Sequence, residues 1–587
     1  MLTQNYWTNK VDYKINGSEL LKDYDLIKIE IPKNKNKLEA DYGKIWNLLK
    51  KNIDVLAYYK SVFHIYLLTE KREIYKLEDN DDLEKLNCDI KLVDNQNINK
   101  ISPYFLINIL LGLYGTSGNM FTLGNFQNGC FVIHKIEKSK VITLKFSVDK
   151  NSLLSLNVST FTKMKCTKSN SNKYIFYCIE GNRLIRVINP LDTNSDLFIQ
   201  KNSYKKSSIN FINYEDDFLN SKVGYLGLFL QGINNRLSKY LTFELKEETF
   251  IQYETYLNKE KRVKEVTKVM KEAFSKNKYI QLVDYENKLS NEYKVELISK
   301  IENFFDKKIQ ATFVDKINHH IPTYIFLNEK SEYENNTDPY LNLKRKYKLT
   351  QVISYKNCKT ILNENNILFE AILKELLIKN EICKSSFYLS SKWKSFKDYE
   401  IFVKINCKNE PKDSCWEKII IDNSINLVNI DLFDRFKLNR IIQELKDNFE
   451  NVEFIAFKND DYFAITRTNE FILPNVKESL KIYNKFIENK DRPRLRRNEY
   501  KKFTTAGSGI NYHVDNNCLT YFSSTSIDNL KRSTTKANIV RKVYFSDKNF
   551  DFIAYLDSLD EYFVRNKELT VLPFILKYLR EFLKINL

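Results

Sequence analysis

The sequence predicts a mixed α/β protein of several domains, on three observations. Short apolar stretches alternate as strands do and are separated by stripes at helical spacing. From about residue 275 strand and helix alternate regularly, which argues a small parallel sheet. With 587 residues and 43% hydrophobic content, the chain is long enough for about three or four domains with cores of their own.

The elements follow in order. "DLIKIEIP" and "VFHIYLL" are short strands among charged helices in the first hundred residues. Gly112, Gly115, Gly118, Gly124 and Gly129 cluster without the order of a phosphate loop and read as a bend. "SLLSLNVSTF" alternates as a strand, with Leu154, Leu156 and Val158 on one face. Leu226, Phe229, Leu230, Ile233 and Leu237 make an amphipathic helix that leads into the strand "YLTFEL". "KYIQLVDY", "IQATFVD" and "IPTYIFLNE" are strands, with a helix striped by Leu297, Ile301 and Phe304 after the first. Asp338 and Pro339 mark a helix start; the strand "LTQVIS" and a long helix over about 363–379 follow. A second α/β unit begins after about 385. It has strands at "YEIFVKINC", "EKIIIDNSINLVNID" and "VEFIAFKND", a helix at "LNRIIQELKDNF", and a closing helix over 572–584.

The formal net charge is +18, from 93 Lys and Arg against 75 Asp and Glu, which favours a polyanionic partner such as nucleic acid. The Lys- and Asn-rich composition has a blander reading, an AT-rich genome. Nine cysteines form no CxxC pair, so no zinc site is expected, and adjacent His319 and His320 point apart and do not share a metal. The longest apolar stretch, "YFLINILLGLYG", is too short to cross a bilayer, and the N-terminus carries no apolar signal core. A cytoplasmic protein with no membrane partner is the expectation.

The chemistry concentrates in "PYLNLKRKYKLTQVISYK". Tyr340 and Lys344 are four apart on one helical face, Gln351 opens the next strand, and Lys374 lies within the following helix. An ammonium, an amide NH₂ and a phenol converging at one corner are what a nucleic-acid phosphate needs, and a ring beside it stacks on a base. A packed tyrosine beside two surface lysines is the plain alternative.

This Tyr-x-x-x-Lys helix, Gln-Val-Ile strand and lysine-bearing helix resemble the MID domain of prokaryotic Argonaute proteins. "YFSSTS", a strand and the final "LPFILKYLREFLKINL" resemble the end of their PIWI domain. The resemblance implies a Rossmann-like MID domain over 251–384 and an RNase H-like PIWI domain over 385–587. Before them it implies an N-terminal domain over 1–110 and a linker region over 111–250, with the PAZ domain reduced or absent. By position, Tyr340, Lys344, Gln351 and Lys374 would hold the 5′-phosphate of a short guide DNA or RNA. The terminal carboxylate of Leu587 would ligate a Mg²⁺ ion at that phosphate.

Cutting members of this family hold two metal ions with carboxylates. Here the corresponding positions are Asn406 and Asn459, neutral and weak ligands, so a cleavage-inactive member is the expectation. The open alternative is an active nuclease with shifted ligands, Asp460 with Asp422 or Asp431. "RPRLRRNEYKK" packs six cations into eleven residues. Its Arg494, Arg496 and Arg497 are either a solvated loop or contacts to a nucleic-acid backbone. The implied partners are the guide, a complementary target (DNA by analogy with plasmid and phage defence), and a separate effector such as a helicase–nuclease or other nuclease.

Overall fold

The computed structural model describes residues 3–586 apart from several segments, among them 31–44, 79–87, 114–130, 201–208, 406–415, 489–508, 525–537 and 560–571. It is a mixed α/β structure built on four sheets.

The chain opens on strand β1 (Thr3–Ile15). Four strands between Asp25 and Leu92 then form a separate small sheet. Residues Phe131 to Gln200 form a closed barrel of six strands within the region expected to be a linker. Its interior takes Phe131, Val141, Phe161, Tyr177, Leu184 and Phe198 from six different strands. A core assembled from such scattered positions leaves no run in the sequence to read. Helix α1 (Lys222–Leu237) buries the predicted stripe of Leu226, Phe229, Leu230, Ile233 and Leu237 and leads into β2 (Leu241–Tyr253).

The parallel sheet argued from the alternating pattern is present. It comprises β3 (Tyr279–Asp284), β4 (Gln310–Phe313), β5 (Thr323–Leu327) and β6 (Thr350–Ser354), in the order β4-β3-β5-β6. Every pairing in it is parallel. Helix α2 (Asn291–Phe304) connects β3 to β4, capped by the Ser290 hydroxyl accepting from the Tyr293 N–H. Helix α3 (Tyr340–Lys346) leads into β6; Pro339 is its N-cap, and Asp338 lies outside the described residues. Helix α4 spans Ile367–Lys384, ending five residues beyond the predicted 379. Its buried face runs on through Asn380, Glu381 and Ile382, because the closing helix of the chain covers it.

The remaining strands are β7 (Glu400–Lys404), β8 (Trp416–Ile421), β9 (Ile425–Val428), β10 (Val452–Lys458), β11 (Asp461–Leu473), β12 (Gly509–Asp515), β13 (Cys518–Ser524) and β14 (Asn538–Phe545). With β1 and β2 they make one ten-stranded sheet, in the order β1-β2-β12-β13-β14-β11-β10-β7-β8-β9. The N-terminal strand and a strand from the middle of the chain thus complete the C-terminal sheet. Helix α5 (Leu432–Leu445) covers one face, packing Leu438, Ile441 and Leu445 on Phe402, Ile455 and Phe457. On the other face α4 shares a core with α6 (Phe552–Leu559) and α7 (Phe574–Asn586). Three side chains tie α7 down. Lys577 pairs with Glu375 at 2.7 Å, the Tyr578 hydroxyl donates to Glu381, and Arg580 reaches Glu453 at 3.2 Å.

Candidate functional site

Strand β6 is an edge strand, and its side chains alternate between two faces. Ile353 packs into the core under α4, and Gln351, two residues before it, faces the same way. Val352 turns to the opposite face, where Leu343 of α3 packs with Val283, Ile325 and Leu327. Helices α3 and α4 therefore lie on opposite faces of the parallel sheet, and the predicted site residues divide between them.

On the α4 side, the lysine that meets Gln351 is Lys379. Its ammonium donates to the Gln351 side-chain carbonyl at 2.6 Å and to the Thr350 backbone carbonyl at 2.7 Å. Lys374 does not take this place. It precedes Lys379 by five residues, about 140° around the helix, so the two project in different directions. Lys374 is itself buried. With its carbonyl held by Lys379, the Gln351 NH₂ is directed away from that lysine and remains a donor. On the α3 side Tyr340 and Lys344 find each other, the ammonium 5.8 Å from the ring centroid, and Tyr340 is exposed.

A cleft of about 460 Å³ opens at the leading end of β6. His319, Lys346 and Lys348 line one side, the end of α4 at Ile382 and Cys383 the other, and Phe582 of α7 closes it. His319 stacks against Tyr347 with centroids 4.8 Å apart. Packing around the Cys383 thiol raises its pKa, while the charges of Lys348, Lys379 and Lys384 act in the opposite sense. Among the described residues, the lining of the cleft carries no carboxylate. A concave surface with two lysines and no carboxylate among its described lining residues favours an anion.

No family model matches the chain, and no curated protein matches it. Among solved structures, Drosophila Piwi aligns over 99% of this chain and 96% of its own, at 9% identity and a TM-score of 0.37. So loose a likeness carries no argument, and the reading of the site rests on its geometry. No described helix is long and apolar enough to cross a membrane.

Of the two positions expected to mark a degenerate metal site, Asn459 is described and Asn406 lies outside the described residues. Strand β10 runs antiparallel to β7, with Glu400 opposite Phe457 and Val403 opposite Phe454. Asn459 follows β10 in a tight turn with φ of 56°, beyond the Glu400 end. The other end of β7, at Lys404, lies roughly 20 Å away along the strands. Asp422, Arg494, Arg496, Arg497 and Leu587 likewise lie outside the described residues.

Of the shifted carboxylates, Asp431 and Asp460 are separated. Asp431 caps α5 through a capping box with Asp434, whereas the Asp460 carbonyl accepts from Arg440, nine residues along that helix and roughly 14 Å on. Nearby Glu400 and Asp434 are paired with lysines. Lys418 reaches Asp434 at 2.8 Å and Glu400 at 2.9 Å, and Lys437 reaches Glu400 at 2.6 Å.

Sequence reasoning missed Lys346, Lys348 and Lys379. The first two stood in the "KRKYK" run, but only the strand's edge position shows that the run lines a cleft. Lys379 needed the rotation of α4 against β6, which the helix pattern alone does not set.

Proposed function

We propose that the chain anchors the 5′-phosphorylated end of a short guide strand in the lysine-lined cleft at the leading end of β6. The observation that carries this reading is that Lys346 and Lys348 line the cleft without a carboxylate among its described lining residues, at the end of β6 where Lys379 bonds Gln351. A terminal phosphate offers two negative charges and three acceptor oxygens to such donors. Tyr340 and Lys344, which contact each other on the adjoining helix, are assigned on this reading to the first nucleotide.

On this reading the parallel sheet is the MID domain, and the ten-stranded sheet with its helices is the PIWI domain, completed by β1 and β2. The guide pairs with a complementary invader strand, and base pairing supplies the sequence discrimination. On this reading the chain does not cut; the resemblance puts neutral Asn406 and Asn459 where cutting members carry carboxylates, and this supports it. The output then passes to a separate effector such as a helicase–nuclease, a step that rests on the family resemblance alone. For the magnesium ion, the described residues around the cleft offer cations and no anionic oxygen. The expected ligand, the carboxylate of Leu587, lies outside the described residues, and no part of the mechanism runs through a metal.

The test compares guides ending in a 5′-phosphate or a 5′-hydroxyl. The native protein prefers the phosphate, and Lys346→Ala with Lys348→Ala reduces that preference by about tenfold or more. Equal binding of the two guides by the native protein overturns the reading.

A further inference from the structure

Helix α5 lies on the ten-stranded sheet with Leu438, Ile441 and Leu445 beneath it. On its other side Leu432, Phe433 and Phe436 fall within two turns and are 75%, 64% and 71% exposed. Among the described residues, no other helix sets three large apolar side chains so close together in solvent. At about 100° per residue, Leu432 and Phe436 project nearly opposite the buried Ile441, straight away from the sheet.

Neither the helix nor the core requires them there. The capping box of Asp431 and Asp434 fixes the helix start, and the buried stripe attaches the helix to the sheet. Phe433 is held in place, with the Lys437 ammonium 5.0 Å from its ring centroid and Lys437 bound to Glu400 at 2.6 Å. An exposed apolar patch that the fold does not use marks an interface.

Charge indicates the occupant. The chain carries a net +18, yet the exposed charged residues from Asp431 to Leu445 are Asp431, Arg435, Arg440 and Glu444, which sum to zero. Such a face does not attract a polyanion, and it does not repel its own copy. It also complements its own copy. Asp431 and Arg435 are four apart along one flank of Leu432 and Phe436. When two such helices pack antiparallel about a two-fold axis beside residue 434, the same flank of each meets the other. Leu432 then lies opposite Phe436 of the other copy, Asp431 comes beside its Arg435, and the two Phe433 rings meet near the axis.

We propose that α5 is a two-fold contact between copies of this chain, its outward face packing antiparallel on itself. Three side chains of this size and exposure offer roughly 400 Å² per copy, about half of what a standard interface buries on each partner. The dimer is therefore weak, with a Kd on the order of 10 µM. None of these residues lines the lysine-rich cleft, so dimerisation and guide anchoring are separable.

Sedimentation velocity of the full chain without nucleic acid, from about 1 to about 200 µM, should show a reversible monomer–dimer equilibrium. Phe436→Glu, at an exposed position, should leave a monomer throughout. Arg435→Glu should weaken the dimer by about tenfold, because it sets like charges side by side. Phe433→Cys reports the geometry: under mild oxidation it should crosslink two chains beyond the level seen in the native protein. Gln443→Cys, exposed on the same helix but far from the axis, should not. A chain that stays monomeric at about 200 µM overturns the proposal and leaves the face to an unlike protein. So does a dimer that persists in Phe436→Glu, or one in which Gln443→Cys crosslinks and Phe433→Cys does not.

Discussion

Lys374 and Lys379 lie on one helix and are both almost fully buried, yet the fold assigns them different tasks. Lys379 bridges Gln351 and the Thr350 carbonyl beside the cleft. Lys379→Met should lower affinity for a 5′-phosphorylated guide by about ten- to a hundredfold, and for a 5′-hydroxyl guide much less. Lys374→Met should cost stability in a urea melt and leave the ratio between the two guides unchanged. Filter binding with both guides separates the outcomes; a lost ratio in Lys374→Met would return the phosphate contact to Lys374.

Glu400 shows the same logic in a structural network. Burial works to raise its pKa, but hydrogen bonds from Lys437 and Lys418 outweigh it and hold the carboxyl below its ordinary 4.5. Below that value the unfolded chain binds the proton more readily than the folded one. The contribution to stability is therefore complete above about 4.5 and is lost as pH falls further. Denaturation followed from pH 6 downwards should show that loss, and Glu400→Gln should flatten it.

At the scale of elements, strand direction decides more than residue identity. Lys404 and Asn459 lie at opposite ends of the β7–β10 pair, so Asn406→Asp with Asn459→Asp is expected not to build a metal site. The double variant, loaded with guide and target in Mn²⁺, should bind the target and leave it intact. A guided cut at a defined position would show that the two positions meet after all. Helix α7 illustrates an element legible in advance, since Ile575, Leu576, Leu579 and Leu583 are all buried as their spacing predicts. Its role was not legible: it links α4 through Glu375 and Glu381 to the large sheet through Glu453, and Phe582 closes the cleft.

For the whole molecule, an excess charge of +18 should make strand binding strongly salt-dependent. For a single strand the slope of log K against log salt is about −0.7 for each phosphate contact. Lys348→Ala should shallow that slope by about one such contact without changing which sequence is preferred. A slope that is already flat in the native protein would remove electrostatics as the basis of binding.

Periodicity by itself determined the mixed α/β class, the α1 and α7 stripes and the short parallel sheet, because each depends on neighbours a few residues apart. The lysine-rich helix–strand corner was visible for the same reason. Only the tertiary structure decided that Lys379 takes the place beside Gln351, that six short strands close a barrel, and that β10 runs against β7. It also brought residue 6 to residue 511, where the Tyr6 hydroxyl donates to Asn511 at 3.1 Å. Those outcomes depend on helix rotation, strand direction and the docking of distant segments, which are set by packing across the fold and leave no local pattern in the chain.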